Sequence, residues 1–523
     1  MTLLHSRGTK PWVAITAAAL AFSMIATGCA AETEEPAEDS TDTSATTDEA
    51  GPVAGGVVTV ASSGDPNPQL VLAGNQANWS WQMNVFETLT TFDENSVPQP
   101  LLASDWTVAA DGLSIDITLQ DGVTFHSGRP MTAEDVKFSI EASLDPLYGS
   151  QLAWVAKEFT AVTVNSDTSL TIQFTRPLPN VFDYFELTSI IDKDTAAGLS
   201  DGSQVIGTGP FVWSEWTPGT SLTLTRNENY WGEKAYLDGI EVVTIKDQTA
   251  LVNAIRSGAA NYVIGLSGID VAAFKDDPQF QVLQATGSVY PLGMNVEIAP
   301  FDQVEVRQAV NFAIDRQRII DQVFGGSAQV SQQFWAPSAV GYDEALNSTY
   351  TYDPDKARQM LEAAGAAGTE FEITVIPFPA NIQAAEIVRN NLEEVGLKPT
   401  IVIPEFADFL TKQTEQDLGP MFMLLHGLGF SPPTLLNGFP SLRPSNPARF
   451  VAPEYDALRE KVQSASDADI AAATQEIAAY IAEQAWSLPL VYAPSEVVMT
   501  PNLVDVKPSA RAYADFKAAY LAE

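Results

Sequence analysis

Between Val289 and Gly326 the chain reads VYPLGMNVEIAPFDQVEVRQAVNFAIDRQRIIDQVFGG, a stretch that leaves few folds open. Val289–Met294 is a short apolar run of the kind a buried strand shows. Ala299–Pro300 marks a turn. Asp302 stands where a helix N-cap belongs, and Glu305, three residues on, completes a capping box. Val306, Val310, Ala313 and Ile314 recur at helical spacing, and Gly325–Gly326 end the helix with residues that tolerate left-handed backbone. The same unit returns further on. Asp353-Pro354 opens a helix with an Asp N-cap and Pro at its first position. FEITVIPF then reads as a strand, AEIVRNNLEEVGL as a helix and PTIVIPEF as a strand. Alternating β and α elements of this kind predict a mostly parallel sheet.

The 523 residues are 45% hydrophobic, enough to fill the cores of several domains. Charge is lopsided, with 27 basic against 66 acidic side chains and a net charge of −39. Nucleic-acid binding needs clustered Lys and Arg, so that class is excluded. A charge of this size suits a soluble exported protein kept dispersed as a monomer.

The N-terminus names a destination. Arg7 and Lys10 precede an apolar segment, Val13–Ile25, of signal-peptide length and too short for a membrane span. Ala26-Thr27-Gly28-Cys29 then reads as a lipobox, making residues 1–28 a signal peptide and Cys29 a lipidation site. Cys29 is the single cysteine, so no internal disulfide or CxxC pair can form. Two acyl chains on Cys29 would anchor the protein stably at the outer face of the cytoplasmic membrane. Residues 30–54 carry eight acidic side chains, no basic ones and no aromatic ring. Such a segment cannot bury enough apolar surface to form a core, so 29–54 is expected to be a tether.

Several longer passages share a family's wording. PFDQVEVRQAVNFAIDRQRII after Asn295 resembles a segment of the extracellular solute-binding proteins, family 5, which serve peptide and nickel ABC importers. PQPLLASDWTVAADGLSIDITLQDGVTFHSGRPMTAEDVKFSI (98–140) and GTGPFVWSEWTPGTSLTLTRNENYWG (207–232) are similar to two further signatures of that family. Within the former, Thr132 and Asp135 form a capping box, and His126 is expected to be structural. The resemblance runs from about Gly55 to Val504. It implies an α/β, two-lobed periplasmic-binding-protein-like fold of class II type with an accessory α+β subdomain. Lobe I would comprise 55–95, 182–290 and 489–523, the accessory subdomain 96–181, and lobe II 291–488. The crossings between lobes would fall near Tyr290–Gly293 and Leu488–Tyr492.

Enzyme templates fail one by one. There is no GxSxG, no GxxxxGK and no HExxH, and GTG (207–209) and GLG (427–429) lack the rest of a dinucleotide fingerprint. His126 and His426 are the histidines left after export, too few for a dedicated metal centre. No cofactor or metal is expected, and a secreted hydrolase is the weakest of three functional classes. The others are an ABC-importer receptor that hands its solute to permease subunits, and a sensor or chaperone module of the same fold.

The resemblance also places the solute. Peptide-binding relatives hold an amino terminus with an Asp in a loop reading roughly "GW-xD…DP". The matching Leu425–Pro433, LHGLGFSPP, lacks both the Trp and the Asp. Dipeptide-binding relatives use an Arg after the strand that here is FEITVI, and Pro377–Gln383 contains none. A buried ammonium without a carboxylate is costly. The candidate contacts are therefore Trp79, Trp81, Asn295, Trp335, His426, Gly429 and Phe430. They suit a capped or modified peptide, an oligosaccharide or a flat aromatic compound held by stacking and hydrogen bonds. Each aromatic could equally be core, and His426 could be a satisfied core histidine. Trp79 or Trp81 should face His426–Phe430 across the cleft.

If the lipobox reading holds, Cys29→Ser releases the protein from membranes into the soluble fraction. Retention equal to wild type in a fractionation assay would overturn it.

Overall fold

The computed structural model describes residues 52–74, 78–93, 97–427, 429–466, 468–509 and 513–522. Cys29, the expected signal peptide and the tether as far as residue 51 lie outside the described residues. The centre of the fold is a 12-stranded mixed sheet. Two of its strands are far longer than the rest, Gln281–Met294 and Ser487–Met499, and they pair antiparallel. At one end of this ribbon Tyr262 and Val263 pair with Met499 and Val498. From there the sheet continues through the parallel strands Tyr262–Ile264, Val57–Ser62 and Gly239–Thr244. At the other end Met421–Met423 pairs with Met294–Leu292 and leads through Glu370–Val375 to Lys398–Val402, both joined in parallel. The alternating pattern of residues 353–404 predicts a mostly parallel sheet; its own strands are parallel, but the sheet as a whole is not, because the long ribbon and the strands Ser221–Arg226 and Phe211–Thr217 pair antiparallel.

The ribbon is irregular at its middle. Register slips between Ala285 and Ser288, and again between Val289 and Pro291. At the first slip Thr286 and Gly287 oppose Pro494, a two-against-one bulge. Three prolines sit in this zone, Pro494 and the directly opposed Pro291 and Pro489. None has an N–H to give to a ladder, so the pairing is thinnest where the two halves of the sheet meet. Gly287 is required there by space: a Cβ would lie 1.7 Å from the Ala493 carbonyl oxygen.

Separate cores fill the two sides. One gathers Val58, Val60, Trp81, Leu224, Tyr262 and Phe516. Two others, around Val310 with Val388 and around Trp335 with Trp486, lie beyond the ribbon. A fourth runs from Leu89 to Ile190 and is roofed by an antiparallel sheet of four strands within Ala103–Phe174. Its helix Ala133–Ser143 starts with the expected capping box of Thr132 and Asp135.

After the ribbon the single helix expected to end at Gly325 is two, Val304–Ala313 and Arg316–Phe324. Gln303 rather than Asp302 takes the N-cap position, and no side chain caps it. Asp315 interrupts the apolar pattern by capping the second helix, accepting from the Arg318 amide at 3.0 Å. Arg316, buried beside it, donates to the carbonyls of Asn311 and Tyr350, which fixes the corner. Gly325 ends the second helix in left-handed geometry, φ 57°, as its position implied.

Gly287→Ala should cost about 3 kcal/mol of stability in urea denaturation, the upper end of what overpacking a filled site produces. Gly427→Ala, where a new Cβ meets nothing within 4 Å, should stay within about 0.5 kcal/mol of wild type.

Candidate functional site

A cavity of about 650 Å³ opens beside the irregular part of the ribbon. Thr286, Gly287 and Ser288 from one long strand and Ser495 from the other contribute to its lining. Trp79, Leu187, Gln151 and Tyr513 line it from one side of the molecule, and Phe406, Leu425–Gly427, Gly429 and Phe430 from the other. The volume matches an ordinary small-ligand site. None of the described lining residues is Asp, Glu, Lys or Arg.

Each wall is held from behind. Trp79 packs at 6.1 Å from the Tyr513 ring, and its carbonyl accepts from the Ala514 amide. His426 and Gly427 form a short strand on Val289 and Ser288, which ties the facing loop to the bulge. Phe430 packs against the core of Trp335 and also against that of Leu89–Ile190. The His426 ring stacks on Phe439 at 4.4 Å and 17°, with Nε2 2.9 Å from Ser441 Oγ. Burial, followed by the charge of Arg443, lowers its pKa to about 3. The ring is therefore neutral across the ordinary pH range and adds no charge to the wall.

The structure thus brings Trp79, His426, Gly429 and Phe430 around one cavity. Three other residues selected from sequence lie elsewhere. Trp81 is fully buried, its Nε1 donating to Asn78 Oδ1 and its ring 4.8 Å from Trp213, so it anchors the first core. Trp335 is fully buried in the second-side core near Leu488. Asn295 closes its own turn, its Oδ1 accepting from the Glu297 amide at 3.0 Å. The two tryptophans fill gaps that only packing between distant segments creates. Sequence reasoning missed Phe406, Tyr513, Gln151 and the ribbon residues. One signal was available: a Gly within a strand, here Gly287, marks a close approach or a bulge.

Two further cavities adjoin this one, and the charges are there. One of about 240 Å³, sharing Leu187 and Tyr513, is lined by Glu87, Glu186, Asp515 and Lys517. Glu87 already accepts from Tyr230 Oη, Trp231 Nε1 and Thr208 Oγ1. Its burial nevertheless holds its pKa above the usual carboxylate value. The other, of about 1050 Å³, shares Thr286 and is lined by polar groups that include Lys507 and Asp515. Among the described residues no group of three or more His, Cys, Asp or Glu is placed to hold a metal ion.

Comparison with known proteins decides the family. Residues 97–447 match the family model described as bacterial extracellular solute-binding proteins, family 5 Middle. The chain belongs to that family. Heme-binding protein A of Haemophilus influenzae is 29% identical over 429 residues, 75% of this chain and 78% of the relative. Di/tripeptide-binding protein 1 of Pseudomonas aeruginosa is 28% identical over 365 residues, 63% of this chain and 67% of the relative. In fold the chain is similar to the ABC transporter-associated periplasmic binding protein DppA from Helicobacter pylori, solved with peptide STSA. The TM-score is 0.77 at 24% identity, covering 90% of this chain and 99% of that one. The fold is the two-lobed periplasmic-binding-protein type, and the family is one of solute-binding proteins, not enzymes.

The two histidines carry a pH dependence. His126 has Nε2 at 3.0 Å from the Gly209 carbonyl while its Nδ1 accepts from the Gly207 amide, a fit only the neutral ring makes. Burial lowers its pKa to about 4. The unfolded chain protonates both rings below the ordinary histidine value of 6.5, whereas the folded protein resists until pH about 4 and about 3. Their contribution to stability is thus full above pH about 6.5 and declines as pH falls. At pH 5 each should weaken folding by about 2 kcal/mol. His126→Gln or His426→Gln should therefore shrink the pH 7-to-5 stability difference by about that amount in urea titrations.

Proposed function

We propose that this protein is the receptor of an ABC importer, closing two lobes over a solute in the cavity beside the ribbon and presenting it to the permease. The ribbon of Gln281–Met294 and Ser487–Met499 serves as the hinge, with lobe I at 55–95, 182–290 and 489–523, the accessory subdomain at 96–181 and lobe II at 291–488. Hinge closure around a solute needs a joint weaker than the bodies it joins, and the opposed prolines and bulge supply one. A lipid on Cys29 and the acidic tether keep the monomeric receptor beside its transporter, outside the cytoplasm. It has no catalytic role.

The observation that carries the choice of solute is the uncharged, aromatic lining. Trp79 and Phe430 face a space to which the described residues bring no ionised side chain, with the neutral His426 ring at its edge. Such a site favours a capped or modified peptide, an oligosaccharide or a flat aromatic compound over a free zwitterionic peptide, whose ends would lose water without gaining partners. The relatives named for heme and for di- and tripeptides mark the range over which one scaffold changes cargo.

Mass spectrometry of solute retained through gentle purification should find a molecule without free charged ends. N-acetylated, C-amidated peptides or neutral sugars should quench tryptophan fluorescence, and Trp79→Phe should remove most of that quench. Tight binding of free di- or tripeptides would overturn the neutral-solute reading.

A further inference from the structure

Helix Val181–Leu187 packs in the core of Leu89–Ile190, and helix Pro432–Gly438 packs in the core that contains Trp335 and Trp486. One carboxylate joins them. Asp183 Oδ2 accepts from the Ser431 amide at 3.0 Å, Ser431 Oγ at 2.5 Å and Thr434 Oγ1 at 2.6 Å. Asp183 and Thr434 are 3% and 2% exposed. Behind this point Arg176 Nη1 reaches Gln463 Oε1 at 3.5 Å, and Gln463 Nε2 donates to the Pro433 carbonyl at 2.7 Å.

The local sequence directs these donors at Asp183. Pro432 and Pro433 occupy the first two positions of the helix and carry no N–H. Ser431 and Thr434 are therefore the groups that this turn offers to an acceptor. Both ends of the contact also adjoin the cavity. Ser431 directly follows Phe430, and Leu187 lies one turn after Asp183, and both Phe430 and Leu187 line it.

We infer that Asp183 is a closure-positioning residue, a clasp between lobe I, at its seam with the accessory subdomain, and lobe II that holds the His426–Phe430 wall in place when the lobes shut. The inference rests on the proposed reading of the ribbon as a hinge. With the lobes apart, the carboxylate and both hydroxyls are hydrated. Closure exchanges that water for three hydrogen bonds to one charged acceptor, a stronger set than neutral groups make. A receptor whose binding-competent state is partly populated binds in proportion to that population, so removing the clasp lowers solute affinity without touching the solute.

The test needs no solute, which separates its failure from failure of the neutral-solute reading. Cys29→Ser provides a cysteine-free chain, and Asp167→Cys with Glu415→Cys places one label on each side. Both sites are exposed. Single-molecule energy transfer should resolve a short-distance and a long-distance population. Asp183→Ala should reduce the ratio of short to long at least tenfold, and Ser431→Ala with Thr434→Ala should do the same from the other side. The double variant carries the test if Asp183→Ala fails to fold. An unchanged ratio in the variants, or no short-distance population in the parent, overturns the inference.

Discussion

The pairing of two long strands governs this molecule, because both halves of the central sheet are attached to it. Gln281–Leu283 with Val497–Met499 belongs to one half, and Leu292–Gly293 with Ser487–Leu488 to the other. Between them the ladder carries Pro494 opposite a bulge and Pro291 opposite Pro489. Backbone hydrogen bonds make a strand pair stiff, and prolines subtract donors from it. The joint is weak in bending and still continuous in sequence. The cavity's position follows, since it opens where the register slips, and its facing loop is itself paired to Ser288 and Val289.

Charge is distributed with the same economy. A chain of net −39 keeps ionised side chains out of the described lining of this cavity and places them in the two that adjoin it. His426 could have brought a charge to the wall, but burial and Arg443 hold it neutral. Glu87 is engaged by three donors. Water excluded from such a site is replaced by ring faces and hydroxyls, which contact a solute without demanding a counter-ion.

What the sequence disclosed depended on range. Features decided within one turn of chain were legible: the Thr132–Asp135 capping box, the Asp353-Pro354 helix start, the left-handed Gly325. The break at Asp315 was hidden, because the apolar period of Val306–Ile314 continues smoothly into Ile319 and Ile320 and only buried Arg316 reveals the corner. Residues Gln281–Ser288 look too polar for a central strand and become one through a partner more than 200 residues away in sequence, as the pairing of Gln281 with Met499 illustrates. Trp79 and Trp81 are alike on paper. Trp213, remote in sequence, claims Trp81 for the core and leaves Trp79 at the cavity. The acidic partner of Ser431 was equally invisible, being 248 residues from it.

A ribbon paired at both ends has a mechanical meaning. Two unpaired linkers would let the bodies they join slide, twist and swing, and each reunion would be a search. Strands zipped together at either end forbid slippage, because a one-residue shift would turn every side chain to the wrong face. If the ribbon is the hinge proposed above, what remains is close to a single coordinate, a fold about the crease at Gly287. Along one coordinate Trp79 and Phe430 would part and meet again on the same track, so the pocket's shape would be inherited from the crease and need not be rediscovered at each cycle.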